Sequence, residues 1–153
     1  MAAAGQQVRR AEPPTLLYLI KQVELAVRSR LDDMFRPTGL TTLQYTALTV
    51  LERHPNLSSA ELARYSFVTA QSMSDMVTAL RVQGLIERQR DAADRRRLVL
   101  ALTAAGRRLL GRYRSKVAGL EAEMVAGLNA DELAELRRAL LLCRSALAAS
   151  LPE

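Results

Sequence analysis

Residues 69–103 read TAQSMSDMVTALRVQGLIERQRDAADRRRLVLALT, and a change of apolar spacing within this stretch decides the fold. Its first half carries apolar residues at helical spacing, with Thr69 as the N-cap and Gly84 as the terminator. The predicted buried face of this helix is Met73, Met76, Val77 and Leu80. Beyond Gly84, residues 85–88 and 98–102 are typical of two short strands around a polar segment. The stretch therefore predicts a helix followed by a β-hairpin.

Upstream of this stretch, two capping boxes predict two further helices. In a capping box, a Ser or Thr cap is answered three residues later by Glu or Gln. The boxes are Thr41-x-x-Gln44, which opens a helix over 42–53, and Ser58-x-x-Glu61, which opens a short helix over 58–65. In the short helix, Leu62 and Ala63 are expected to face the core.

Long helices are predicted at both ends of the chain. An apolar pattern that starts at Thr15 predicts a first helix to about Arg36, where Pro37 and Gly39 stop it. Downstream, Thr103 caps a fifth helix, and Asn129-x-x-Glu132 opens a sixth that runs to about Ala149. The predicted order is four helices, a hairpin and two helices, which is a mainly α fold. A short helix, a turn, a second helix and a hairpin make a winged helix-turn-helix, here over residues 40–102.

The composition of the chain favours a polyanionic partner and a location in the cytoplasm. The 153-residue chain has a formal net charge of +6, and nearly all its basic residues are arginine, with Lys only at Lys21 and Lys116. The same composition is also consistent with a GC-rich genome. The single cysteine, Cys143, excludes an intramolecular disulfide. No apolar run approaches the roughly 20 residues needed to span a bilayer. Residues 1–14 are predicted to be a disordered tail rather than a secretory signal, so a cytoplasmic protein is expected.

The second helix of a helix-turn-helix presents side chains to the major groove of DNA. With the predicted buried face turned inward, short polar groups remain on the outside near the start of this recognition helix. These groups are Thr69, Gln71, Ser72, Ser74 and Asp75, with Thr78 beyond them. Ser and Thr contact bases or phosphates, and Gln pairs well with adenine. The alternative is an ordinary solvated helix face.

The hairpin forms the wing of the motif, and its arginines are the second candidate DNA contact. They are Arg88, Arg90, Arg95, Arg96 and Arg97, interrupted by Asp91 and Asp94. Arginines at a hairpin tip suit the narrow minor groove, which concentrates negative potential. An Asp two residues before an Arg can orient the guanidinium through charge-assisted hydrogen bonds. The alternative is a solvated charged loop. Contacts with the DNA backbone are further predicted for Thr41, Ser58 and Ser59.

The chain resembles the MarR (multiple antibiotic resistance regulator) family over about residues 15–149. The resemblance rests on Leu80-x-x-x-Gly84-Leu85-Ile86-x-Arg88, on Asp94-x-Arg96 and on Leu102-Thr103-x-x-Gly106. It implies that Arg96 enters the minor groove and that Asp94 orients it. It also implies that residues 71, 72, 74 and 75 contact bases or nearby phosphates. Asp75 and Ala79 depart from the family pattern, because many relatives carry Arg there. Asp75 should lower non-specific phosphate affinity, and it could accept a hydrogen bond from cytosine.

Dimerisation is implied by the resemblance and agrees with the apolar stripes of the outer helices. In relatives these helices, here residues 15–36 and 103–149, intertwine into a two-fold dimer. The two recognition helices then meet successive major-groove turns about 34 Å apart. The stripe of the last helix is Leu133, Leu136, Leu140, Leu141 and Leu147. The alternative is a monomeric helix bundle.

A small aromatic or lipophilic acid is the effector that the resemblance implies. Family members bind such molecules where the dimer helices meet the DNA-binding lobe, and an apolar cleft with few polar groups suits them. The candidate lining residues are Tyr18, Gln22, Tyr45 and Tyr113. The alternative for each tyrosine is an ordinary place in the core or in the dimer interface.

No residue pattern favours an enzyme, a metal site or a cofactor. The chain lacks a nucleophile elbow, a phosphate-binding glycine loop and a cluster of metal ligands, and His54 has no Cys or His neighbour. Cys143 lies in an apolar stretch, so an inert packed thiol is expected rather than a redox sensor. The hypothesis is a homodimeric repressor that binds a pseudo-palindromic operator. The alternatives are an activator, an architectural DNA-binding protein without an effector, and a protein-interaction module.

Overall fold

The computed structural model describes residues 11–148, which form six α-helices and one two-stranded antiparallel sheet. The elements are α1 (Leu16–Phe35), a 3-10 turn (Arg36–Thr38), α2 (Thr42–Arg53), α3 (Ser59–Ser66), α4 (Ala70–Val82), β1 (Ile86–Arg90), β2 (Leu98–Leu102), α5 (Ala104–Met124) and α6 (Ala130–Ala148). The predicted fold class and element order are confirmed, and the 3-10 turn is an addition to them. Of the predicted tail at residues 1–14, residues 1–10 lie outside the described residues, as does the predicted helix end at residue 149, and residues 11–14 form neither helix nor strand.

Side-chain caps start the helices where the sequence predicts them. Thr15, Thr69 and Thr103 each accept a hydrogen bond from the main-chain N–H three residues later, at 3.1–3.2 Å. All three predicted capping boxes are formed, because cap and partner bond each other's main chain at Thr41/Gln44, Ser58/Glu61 and Asn129/Glu132. Capping depends on residues within one turn, so these helix starts could be read from the sequence.

The chain clusters into two compact units, of which the first ends at Tyr45. In this unit the Phe35 side chain is fully buried and stacks on Tyr45, with ring centroids 4.1 Å apart. Gly39 takes a left-handed conformation with φ of 73°, which reverses the chain between α1 and α2. The Asp32 carboxylate accepts from the main-chain N–H of Thr42 at 3.2 Å. Most of the apolar side chains of α1 are nevertheless exposed.

The second unit begins at Thr46 and holds the helix-turn-helix, the sheet, α5 and α6. Helices α3 and α4 pack on each other, and α4 also packs on the first strand of the sheet. The buried residues of this unit include Leu48, Leu62, Met73, Val77, Leu80, Val99, Leu100 and Leu110. Met76, predicted to be buried with this face, is half-buried. An ion pair between Arg114 and Glu52, 2.6 Å apart, joins α5 to the end of α2.

The hairpin pairs Ile86 with Leu102 and Arg90 with Leu98. The first strand begins one residue later and ends two residues later than the predicted 85–88, because Leu85 completes the end of α4. Its N–H bonds the Leu80 carbonyl at 3.0 Å, while Gly84 takes a left-handed φ of 71°. The chain before α3 also pairs with β2 through a Leu57–Leu100 bridge, in which the Leu100 N–H bonds the Leu57 carbonyl at 2.8 Å.

Among residues 11–148, no helix is long and apolar enough to cross a membrane.

Candidate nucleic-acid interface

Helix α4 is the predicted recognition helix, and a tight turn sets its direction from α3. Phe67 caps α3 in a left-handed conformation with φ of 54°, and its N–H bonds the Arg64 carbonyl. The Val68 N–H bonds the Ala63 carbonyl at 3.1 Å. Phe67 is not a glycine, so this conformation carries some backbone strain. The turn places the cap of α4, Thr69, two residues later.

The predicted recognition residues share the exposed face of α4. Met73, Val77 and Leu80 are buried, whereas Gln71, Ser72, Ser74 and Asp75 are all exposed. The Gln71 side-chain amide donates to Asp75 at 3.3 Å, so the residue that departs from the family pattern has a partner one turn away. The Thr69 hydroxyl accepts from the Ser72 N–H, and the Thr78 hydroxyl donates to the Ser74 carbonyl. This face offers hydroxyl, amide and carboxylate groups, which are the chemistry of base-edge recognition.

The wing loop, residues 91–97, is closed by its own hydrogen bonds. The Asp91 N–H bonds the Arg97 carbonyl at 2.9 Å, and the Arg97 N–H bonds the Asp94 carbonyl at 3.0 Å. The Arg90 guanidinium donates to the carbonyl of Arg95 at 2.8 Å. These bonds join the two ends of the loop and tie Arg90 to its middle. Arg88, Arg90, Arg95 and Arg96 are all exposed.

Asp94 differs from its predicted role. Its carboxylate accepts from the main-chain N–H of Arg96 at 3.0 Å, so it orders the turn rather than the guanidinium. Within the described part of the chain, no carboxylate pairs with the Arg96 side chain. The prediction assumed a side-chain pair, whereas an Asp two residues before a turn N–H forms a local Asx-turn instead. Arg96 is therefore presented by the backbone of the loop.

Arg97, which was predicted to contact DNA with the other wing arginines, has carboxylate partners within the chain. Its side chain is only 34% exposed, and its guanidinium bonds two carboxylates, Asp91 at 2.8 Å and Glu61 of α3. The pKa of Glu61 lies below its usual value, mainly because the Ser58 N–H donates to it and also because of the charge of Arg97. The pKa of Asp91 is lowered by the Ala93 N–H and by Arg97. The sequence did not predict the contact between Glu61 and Arg97, because the capping box at Ser58 already accounted for the glutamate at this position.

The three predicted backbone contacts are all residues at helix starts. The Thr41 hydroxyl accepts from the Gln44 N–H in the first unit, and the Ser58 hydroxyl accepts from the Glu61 N–H in the second. Ser58 and Ser59 are half-buried, and Thr41 is exposed. A hydroxyl that accepts a cap bond still has its own proton to donate to a phosphate.

The predicted effector residues fall in both units. In the first, the Gln22 amide donates to the exposed Tyr18 hydroxyl at 3.0 Å, and Tyr45 is buried against Phe35. In the second, Tyr113 is buried, and the Lys116 ammonium lies 5.3 Å from the centre of its ring. These contacts suit the core role that was the alternative for Tyr45 and Tyr113.

A cavity that the sequence did not predict lies in the second unit. It has a volume of about 400 Å³ and is lined by residues of α3, of the α3–α4 turn and of α6, among them Tyr65, Phe67 and Arg144. His54 also lines it and stacks on Tyr65, with ring centroids 4.6 Å apart. No sequence signal identifies this cavity, because its lining residues come from separate elements.

Cys143 is exposed on α6, so the expected packing of its thiol is wrong for the single chain. The reason is that the apolar side chains around it are themselves uncovered, with Leu140, Leu141 and Leu142 between 47% and 57% exposed. Among residues 11–148, no three His, Cys, Asp or Glu side chains cluster to hold a metal ion.

Comparisons with known proteins agree with this geometry. Residues 38–97 match a model of the MarR family. The chain is 35% identical over 130 residues to the HTH-type transcriptional repressor Rv2887 of Mycobacterium tuberculosis, covering 85% of this chain and 94% of that protein. A structure of the Rv2887 protein in complex with salicylic acid superposes with a TM-score of 0.67 at 34% identity, over 87% of this chain and 98% of that one. Staphylococcus aureus MepR in its DNA-binding conformation superposes with a TM-score of 0.80 at 25% identity, over 88% and 99%.

Proposed function

This chain belongs to the MarR family of transcriptional regulators, and from that premise we propose that it is a homodimeric repressor of a pseudo-palindromic operator. We further propose that a small aromatic or lipophilic ligand releases it from DNA. The observation that carries the proposal is the pairing of a polar, exposed α4 face with an ordered, arginine-rich wing in one compact unit. The related repressors are bacterial, and bacterial regulators act on DNA in the cytoplasm, so a cytoplasmic location is part of the proposal.

In this proposal, α4 reads bases and the wing reads the shape of the minor groove. Gln71, Ser72, Ser74 and Asp75 contact base edges or nearby phosphates from the start of the helix. Arg95 and Arg96 contact the minor groove, where the negative potential is strongest, and Arg88 and Arg90 contact phosphates nearby. Thr41, Ser58 and Ser59 donate to the DNA backbone, which sets the register without reading sequence.

A second copy of the chain is the proposed cover of the exposed apolar helices. Helix α1 exposes Leu16, Leu17, Leu19, Ile20, Val23 and Leu25, and α6 exposes Leu136, Leu140, Leu141, Leu142 and Leu147. Single exposed apolar residues are ordinary, but contiguous stripes of this size mark an interaction surface. Residues 15–36 and 103–149 therefore form the dimer, and residues 40–102 form the DNA-binding lobe. In the dimer, Cys143 and its apolar neighbours become interface residues.

The ligand acts by shifting the distance between the two recognition helices. A molecule that binds more tightly to the dimer with the wrong spacing for DNA lowers DNA affinity, and DNA lowers its affinity in return. The salicylic acid bound to the related Rv2887 protein supports an aromatic acid as the ligand class. Tyr18, Gln22, Tyr45 and Tyr113 are the proposed lining residues.

Fluorescence anisotropy tests the DNA-binding part of the proposal. The wild type is titrated at two salt concentrations against the DNA upstream of its own gene, with Arg96→Ala beside it. Arg53→Ala is the matched control, because Arg53 is an exposed arginine at the end of α2 that is assigned neither to the DNA contact nor to the dimer. We expect tight binding that resists competitor DNA, unchanged in the control and weakened by about 1–3 kcal/mol in Arg96→Ala. Weak binding that disappears with salt and ignores Arg96→Ala would contradict the wing assignment.

The alternative function is an activator, or an architectural DNA-binding protein without an effector. In-vitro transcription from the bound promoter separates the three. A repressor lowers transcript yield, and salicylate restores it. An activator raises transcript yield, and an architectural protein leaves it unchanged at saturating occupancy.

A further inference from the structure

The three consecutive arginines of the wing, Arg95, Arg96 and Arg97, do not share one environment. Arg95 and Arg96 are exposed, while the Arg97 guanidinium lies between Asp91, 2.8 Å away, and Glu61. We propose that Arg97 is a positioning residue that ties the wing loop to the first turn of α3 and makes no DNA contact of its own. This inference rests on the proposed DNA-binding function and refines which wing residues perform it.

The two carboxylates that hold Arg97 belong to different parts of the motif. Asp91 opens the wing loop, and Arg97 closes it, so their ion pair reinforces the main-chain bond between the same two residues. Glu61 lies 36 residues earlier, in the first turn of α3. The clamp, defined as Arg97, Asp91 and Glu61, is therefore a tertiary contact rather than a local turn.

Glu61 is also held in place by a contact that does not involve Arg97. Its Oε2 atom accepts from the Ser58 N–H at 2.8 Å in the capping box, and the same oxygen accepts from Arg97. The residue before Ser58 bonds β2, since the Leu57 carbonyl accepts from the Leu100 N–H at 2.8 Å. The start of α3 is thus tied twice to the hairpin, once through the backbone at β2 and once through the clamp at the loop.

The charge of the clamp argues against a phosphate contact from Arg97. Two carboxylates face one guanidinium, so the clamp as a whole carries one net negative charge. For Arg97 to turn toward a phosphate, it would have to leave both carboxylates unpaired beside a polyanion. The charge-assisted bonds that it already makes are the stronger kind of hydrogen bond. In this proposal, Arg97 fixes the direction in which Arg95 and Arg96 point.

Neutral substitution of the partners separates positioning from contact by the sign of the effect. Asp91→Asn and Glu61→Gln each remove a negative charge near the DNA but keep an oxygen for the Ala93 and Ser58 N–H bonds. If Arg97 contacts phosphate, freeing it raises DNA affinity. If it positions the wing, each substitution lowers operator affinity by about threefold to fivefold, the range of a partly exposed ion pair. Glu87→Gln on β1 is the matched control, since Glu87 bonds Gln89 and not the clamp, and we expect no loss.

Salt dependence separates a residue that contacts phosphate from one that positions other residues, because only the loss of a phosphate contact changes the salt slope. Arg88→Gln, which removes a proposed phosphate contact, should reduce the slope of log affinity against log salt by about one. Arg97→Gln should lower affinity and leave the slope unchanged. Amide hydrogen exchange at Asp91, measured without DNA, should become faster in Arg97→Gln and Glu61→Gln and stay unchanged in Glu87→Gln.

The inference is overturned if Asp91→Asn and Glu61→Gln bind the operator as tightly as the wild type or more tightly. A drop of about one in the salt slope of Arg97→Gln would also overturn it, because that is the signature of a phosphate contact. If the wild type binds no DNA specifically, the proposed function fails. The exchange rate at Asp91 still decides in that case whether the clamp orders the loop.

Discussion

At the scale of single residues, the surroundings of Gly106 explain the motif Leu-Thr-x-x-Gly, which joins the hairpin to α5. The Thr103 hydroxyl donates to the Gly84 carbonyl at 2.6 Å, and the Thr103 N–H bonds the Leu85 carbonyl at 3.1 Å. These bonds bring the first turn of α5 so close that a β-carbon on Gly106 would lie 2.2 Å from the Leu85 oxygen. The motif Leu-Thr-x-x-Gly therefore encodes a backbone approach, and the glycine is needed for space.

Gly106→Ala should lower the free energy of unfolding by about 1–3 kcal/mol, because the added carbon meets backbone that cannot move away. Urea denaturation at one fixed protein concentration measures this. The control is Gly111→Ala in the same helix, where an added carbon meets nothing within 4 Å. Its expected effect is a gain of up to about 1 kcal/mol from helix propensity. Equal losses in both variants would contradict the steric explanation.

Asp75 governs selectivity in the proposed interface, because it places a negative charge on the DNA-facing surface of α4. Asp75→Asn keeps an acceptor for Gln71 and removes the charge. It should strengthen binding to a non-specific duplex by about threefold or more, since one phosphate repulsion is lost. The preference for the operator should fall in the same titrations. A non-specific affinity that does not change would show that Asp75 lies away from the DNA.

At the scale of elements, α1 and α6 differ from the helices between them in what they bury. Helices α3 and α4 bury apolar residues where they pack on each other, and α4 also packs on the sheet. In α6 no residue is buried within the chain, although leucines recur along it. An amphipathic helix gains its stability from packing that face, so α6 requires a cover from outside the chain.

Leu140→Glu should convert the proposed dimer into monomers by placing a charge in the interface, with a loss of dimer affinity of about tenfold or more. Sedimentation velocity over a range of concentrations measures this. The matched control is Val82→Glu, which puts the same charge at an apolar residue of α4 that is 84% exposed. A Leu140→Glu protein that stays dimeric would place the interface elsewhere.

At the scale of the whole molecule, the proposed dimer makes operator affinity depend on the distance between the two half-sites. Two recognition helices on a two-fold axis meet half-sites that lie one helical turn, about 10 base pairs, apart. The protein's net charge of +6 adds an attraction to any DNA, which depends on salt and not on sequence. Selectivity therefore requires both half-sites to be engaged at once.

Inserting about five base pairs between the half-sites rotates one of them to the opposite face of the duplex. Operator affinity should then fall toward the non-specific level, by about 100-fold or more. Anisotropy titration of the lengthened operator measures the loss, and a spacer of altered sequence but original length is the control. An affinity that tolerates the insertion would indicate binding by independent monomers.

Local chemistry made most of the fold predictable. Caps such as Thr69 and Thr103, and the terminator Gly84, act within one helical turn, so the sequence alone locates them. The change from helical to strand spacing at Gly84 likewise identifies the hairpin. The first strand begins later than predicted because the Leu85 N–H bonds the Leu80 carbonyl. The spacing of apolar residues does not show whether Leu85 belongs to the helix end or to the strand. The candidate DNA-facing residues of α4 were predictable because a helix that buries one face exposes the face on its other side.

The sequence by itself determined the family, the order of elements and the helix starts, because these depend on residues close together in the chain. Only the tertiary structure decided that Arg97 points inward to Glu61, although it stands next to two exposed arginines. Nothing within the run of three distinguishes its members, since all carry the same side chain and charge. The difference comes from a carboxylate 36 residues away, which folding brings within reach of one guanidinium. Contacts over such separations depend on the packing of whole elements, and for that reason the wing's direction is a property of the folded chain.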